Sequence, residues 1–223
     1  MESGSEIVFY MFGWPVTSYI TTMWAIMAVL LIIGLVVSNR MQKVPGRLQM
    51  LAEYSLGGLV NYFGGMMGQE RARRYFPLLG TLFLLILFSN WSGILPGAGH
   101  INGFHPPTGT LSVTAALAIV VFVTVQGIGI RERGWHYFGH FFQPIFLLFP
   151  LNILEELIKP LSLSLRLFGN IYGEEMVAVV LLGLFAPAAI PMQLLALLFG
   201  FIQALVFTTL TAIYIGQATA ESH

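Results

Sequence analysis

Cysteine is absent from the 223 residues, which excludes disulfides, thiolate metal sites and cysteine nucleophiles without identifying a redox compartment. Aspartate is absent as well. All ten acidic residues are glutamates, and ten Lys plus Arg bring the formal net charge to zero, so a nucleic-acid partner has no electrostatic footing. Charge of either sign is scarce, at 9% of residues. Residues 1–18 hold no Lys or Arg, so they have neither the basic n-region of a signal peptide nor the Arg-rich character of a transit peptide. There is no P-loop, dinucleotide fingerprint, Ser-His-Asp arrangement or metalloprotease pattern, and no cofactor or metal is implied. No repeat period of about 20 to 50 residues is found.

Apolar residues fill the space that charge leaves. They make up 57% of the chain, and the mean hydropathy is +0.81, more than a water-soluble domain of this size needs for one core. An all-α polytopic membrane protein is expected, built as a single domain. Residues 19–38 are uncharged and match the roughly 20 residues that cross hydrocarbon about 30 Å thick. Further spans are expected at 75–95 and 110–130. No charge occurs from 176 to 220, but Pro187 and Pro191 should break a helix there. The expectation is a C-terminal hairpin with arms at 141–186 and 191–217, both longer than the bilayer requires and therefore tilted. Residues 48–68 place Leu48, Leu51, Leu59, Tyr62 and Met66 at helical spacing with five glycines, which suits a helix lying on the interface. A second buried hairpin is the alternative.

Basic residues sort the loops. Arg40, Lys43, Arg47, Arg71, Arg73 and Arg74 lie between the first two spans, and Arg131 and Arg133 follow the third. Positive loops remain cytoplasmic, so the N-terminus (1–18) and loop 96–109 are expected outside and the C-terminus inside, after five crossings.

Within the first arm, Arg166 sits in an apolar run, where a guanidinium costs about 2.5 to 3.5 kcal/mol at mid-helix even on lenient insertion scales. At about 100° per residue, Glu155, Lys159, Ser162, Gly169, Asn170 and Gly173 lie within about 60° of Arg166. Glu156 and Glu174 lie about 80° off, and Glu175 nearly opposite. No acid stands three or four residues from Arg166, so its counter-charge is expected from another subunit. Gly169 and Gly173 form a small-xxx-small pair that admits close packing by another helix or backbone. Glu174 and Glu175 read either as snorkelling acids at the outer interface or as functional carboxylates. Glu155 with Lys159 at i, i+4 reads as a weak interfacial pair. Gln203 in the last helix is either a packing hydrogen-bond group or a partner for the arginine face. His136 and His140 are spaced to share a metal but sit in an aromatic interfacial setting with no third ligand nearby. His100 and His105 lie in a loop with Pro106 and Pro107, where solvent exposure is expected.

The segment KPLSLSLRLFGNIYGEE, residues 159–175, closely resembles the signature of subunit a of the F-type ATP synthase, the stator subunit that passes protons along a rotating ring of c subunits. FSNWSGILPG (88–97) and FIQALVFTTLTAIYIGQA (201–218) resemble two further segments of that family. The resemblance implies that Arg166 faces the mid-membrane carboxylate of each c subunit. It also implies that Asn170, Glu175 and Gln203 belong to an outer aqueous half-channel, and that Lys159 with Glu155 or Glu156 lies near a cytoplasmic one. Some members carry a titratable residue seven positions before the glutamine. That position is Ala196 here, which leaves Glu174 as its substitute. The implied partners are the c-subunit ring, a b-type peripheral stalk, the rest of the synthase and the lipid bilayer. The implied location is a bacterial cell membrane, and no nucleotide site of its own is implied. The rival reading is a secondary transporter or channel in which Arg166 binds an anionic substrate. A bare membrane anchor would not require that arginine. Leu163 and Ile171 are the neighbouring positions expected to meet a c subunit.

Overall fold

The computed structural model describes residues 7–11, 13–39, 46–94, 105–134, 149–184 and 189–219. His100, His136, His140 and Pro187, and the first residues of the expected arm at 141–186, lie outside them. Six α-helices are found among the described residues: α1 (Ser18–Asn39), α2 (Arg47–Met67), α3 (Gln69–Ser92), α4 (Leu111–Arg133), α5 (Phe149–Leu184) and α6 (Ala189–Thr219). All except α2 are long and apolar enough to cross a membrane. The protein is an all-α polytopic membrane protein.

One small element was not expected. Strands β1 (Ile7–Met11) and β2 (Trp14–Thr17) pair antiparallel ahead of α1. A β-branched and aromatic run closed by Gly13 at φ 84° is hairpin chemistry, hidden in the sequence because the run is short and leads directly into a span.

Helix α3 is the centre of the bundle. It packs on α1, α2 and α6, while α4 packs on α5 and α6. Phe63, Leu79, Ile86, Leu167, Phe207 and Ile215 are completely buried where these helices meet. Phe63 belongs to α2, so that helix is joined to the bundle by one apolar edge. Its other side exposes Met50, Tyr54 and Leu56. Between α2 and α3 the chain turns at Gly68, whose φ of 89° suits glycine. Near the opposite end of α6, Gly216 lies so close to α2 that a Cβ there would meet Met67 Cβ at 3.3 Å.

The segment FSNWSG bolts α3 to α6. Asn90 Nδ2 donates to the Gly200 carbonyl at 3.0 Å, and Trp91 Nε1 donates to the Leu197 carbonyl at 3.1 Å. The approach is tight enough that a Cβ on Gly200 would stand 3.1 Å from Asn90 Cβ. Basic residues at the start of α3 contribute a second tie, with Arg74 2.8 Å from Glu132 on α4 and Tyr75 donating to the same carboxylate at 3.0 Å. Exposure of the Arg74 side chain makes that pair weak.

Helix α5 has 36 residues and α6 has 31, about 54 and 47 Å at 1.5 Å rise. Both exceed the hydrocarbon thickness of about 30 Å. Pro160 lies inside α5, where it removes the donor for the Glu156 carbonyl. Pro191 occupies the first turn of α6, where the missing N–H is harmless.

Candidate functional site

Helix α5 turns Leu163, Ser164, Leu167 and Ile171 inward, and Ser164 Oγ lies 3.3 Å from Thr114 Oγ1 of α4. That buried face is centred about 110° around the helix from Arg166. The polar stripe therefore runs beside the packed face, along the surface of the chain. Leu163 and Ile171 keep only 2% and 5% of their surface, so the sequence expectation that they face a partner is corrected: α5 packs on α4, α6 and the turn at 107–109, and Ile171 lies against Gly109 of that turn. Leu161, Leu165, Arg166 and Gly169 are the exposed neighbours.

Arg166 forms no ion pair or hydrogen bond among the described residues. Gly169 and Gly173 are open too, since a Cβ at either would find nothing within 4 Å. No described residue closes on this glycine pair.

Toward the start of α5 the polar groups hold one another. Glu156 accepts from Gln126 Nε2 of α4 at 2.9 Å with Oε2, and pairs with Lys159 through Oε1. Lys159 Nζ also stands 5.4 Å from the ring centroid of Tyr214 on α6. The partner of Lys159 is thus Glu156 at i, i+3, and not Glu155 at i, i+4 as the spacing suggested. Glu156 points toward α4, where Gln126 meets it, whereas Glu155 is exposed. Gln126 and Tyr214 were not singled out in the sequence. Gln126 was visible as a lone amide in an apolar span, but Tyr214 looks like any interfacial aromatic.

Farther along α5 the arrangement is open. Asn170 Nδ2 donates to Glu174 Oε1 at 3.1 Å. Glu175 has no hydrogen bond or ion pair among the described residues, and its Oε2 would lie 3.6 Å from a Cβ on Gly109. Gly109 closes a 3-10 turn, Pro107–Gly109, between α3 and α4. Gln203 on α6 is 7% exposed, and its Nε2 has no partner among the described residues. Asn90 Oδ1 and Thr108 Oγ1 are likewise buried and unpartnered there. Three buried polar atoms without partners are costly in a dry interior and suit a region that water enters.

Comparison with known proteins matches the family described as "ATP synthase A chain" to residues 20–216. The chain is 44% identical over 212 residues to ATP synthase subunit a 1 of Syntrophotalea carbinolica, spanning 92% of this chain and 87% of that protein. It is 43% identical over 213 residues to ATP synthase subunit a of Moorella thermoacetica, spanning 94% of each. The subunit a of Geobacter sulfurreducens is 42% identical over 206 residues, 90% of this chain and 86% of its own.

Proposed function

The chain belongs to the ATP synthase subunit a family, and on that premise we propose that it conducts protons through two offset half-channels beside a rotating ring of c subunits. Membership makes it a multi-pass membrane subunit of a bacterial ATP synthase that translocates protons, and the transporter alternative is not favoured. The observation that carries the finer reading is the Arg166 guanidinium, exposed at mid-helix without an acid partner among the described residues.

Each charged group then has a task. A proton reaches Glu175 from the outer side and neutralises a ring carboxylate, which can then turn into lipid without the cost of a bare charge. Asn170, Glu174 and Gln203 line that outer path, with Glu174 in the place left by Ala196. After a near-complete turn the ring acid returns to Arg166, which favours its ionised form and so releases the proton inward past Lys159, Glu156 and Glu155. The same cation keeps the two channels apart. The open glycines Gly169 and Gly173 let the passing c helix approach closely. A potential of 100 mV is worth about 2.3 kcal/mol per charge, so several protons must be gathered by rotation for each nucleotide made elsewhere in the complex.

On this reading no covalent chemistry is done by this chain. A b-type stalk holds it still, the N-terminus lies outside, and the C-terminus lies in the cytoplasm. In the assembled synthase Arg166→Ala is expected to abolish ATP synthesis and ATP-driven proton pumping at normal complex levels. Retention of both at normal rates would refute the role given to Arg166.

A further inference from the structure

His105 was expected to be solvated in its loop. It is instead half-buried, with Nδ1 3.4 Å from Ser18 Oγ and its ring 5.3 Å from the ring of Tyr19. Tyr19 stands at the first turn of α1, and the turn Pro107–Gly109 packs against both α1 and α5. His105 also opens the stretch HPPTG, whose far end, Gly109, lies against Glu175. The turn is tied back on itself by Gly109 N–H donating to the Pro106 carbonyl at 3.0 Å. Between the two, Thr108 buries a hydroxyl oxygen that has no partner among the described residues. One imidazole, one phenol and one carboxylate from three separate parts of the chain thus converge at the outer end of the bundle.

We propose that His105 and Tyr19 form the outer proton-collecting relay that loads Glu175. The inference rests on the half-channel reading above and adds its first stage. The ring nitrogen not facing Ser18 takes a proton from outer water, giving an imidazolium. That imidazolium gives up a proton toward Tyr19, whose hydroxyl accepts it while releasing its own, along water at this outer end, to the Glu175 carboxylate. Imidazole is then neutral again, the phenol is restored and Glu175 is a carboxylic acid, so protons and charge balance. Imidazole suits this task because its charge changes within the working pH range. The charged and titratable surroundings are few. The neighbouring elements contribute Glu174 and Glu175 from α5 and Tyr19 from α1, whereas α3 has no charge after Arg74 and α4 none before Arg131.

The test is potential-driven proton conduction by the assembled membrane sector in vesicles, with the outer pH varied from about 5 to 8 and rates normalised to assembled complex. His105→Gln, which can still bond Ser18 but cannot titrate, is expected to lower conduction about three-fold or more and to flatten the dependence on outer pH. His105→Glu, which titrates but loses the ring contact, is expected to conduct better than His105→Gln, with its pH dependence moved to lower pH. Tyr19→Phe is expected to slow conduction while keeping the pH dependence. A purely structural role reverses the order of the two His105 variants, and that order overturns the proposal. So does a His105→Gln complex with the parental rate and profile while Glu175→Gln is blocked. If Glu175→Gln itself conducts at the parental rate, the half-channel reading fails instead.

Discussion

The two ends of α5 carry similar residues in opposite states of satisfaction. Near its start, Glu156 has both carboxylate oxygens engaged, one by Gln126 and one by Lys159. Near the other end, Glu175 has no hydrogen bond among the described residues and lies against Gly109, at the end of the turn that His105 opens. A proton can be added at the second site without breaking anything, whereas the first must loosen an ion pair to take part. On the function proposed above, proton loading belongs to the open carboxylate, and the closed cluster acts as a positioned, polar way out. Arg166 stands between them with no bond to either.

That contrast can be broken from both sides. Glu175→Gln should have the larger effect, cutting proton conduction roughly 10²-fold, since it removes a group that itself carries the proton. Measured conduction close to the parental rate would make the two ends equivalent. Glu156→Gln should cost much less, about three-fold, because an amide still bonds Gln126 and only the charge facing Lys159 is lost. A Glu156 effect as large as that of Glu175 would mean that the inner carboxylate also turns over protons. The smallest expected effect is on function and the clearest on stability. Gly200→Ala forces a methyl against Asn90 and should destabilise the α3–α6 contact by about 1 to 3 kcal/mol, read as a lower dissociation temperature of the synthase with conduction per assembled complex little changed.

Much of this was legible in the residues. Four of the five membrane-spanning helices follow from runs without charge, and α2 stands out because glycines and a lower hydropathy mark it. Arg166 stood out as a candidate functional cation because no acid lies a helical turn away in sequence, and none pairs with it among the described residues. What the sequence could not say is which flank of α5 is covered. The wheel places the stripe correctly, but Leu163 and Leu165 are both leucines, and only the packing of α4 and α6 decides that the first is buried and the second exposed. The choice between Glu155 and Glu156 was hidden for the same reason, since Gln126 lies on another helix. His105 and Tyr19 are far apart in sequence and meet only because the turn at 107–109 rests against α1 and α5. The role of FSNWSG in tying α3 to α6 also needed the two acceptor carbonyls of α6.

The absence of cysteine gives a clean background for the most direct test of the central claim, that the exposed flank of α5 around Arg166 meets the acid-bearing helix of a c subunit. Single cysteines are placed through 160–175 and paired with one beside the c-subunit carboxylate, and disulfide formation is scored in membranes. Strong crosslinks at Leu165→Cys and Gly169→Cys with none at Leu163→Cys or Ile171→Cys are expected. Crosslinks confined to Leu163 and Ile171, or none across the whole scan, would contradict it.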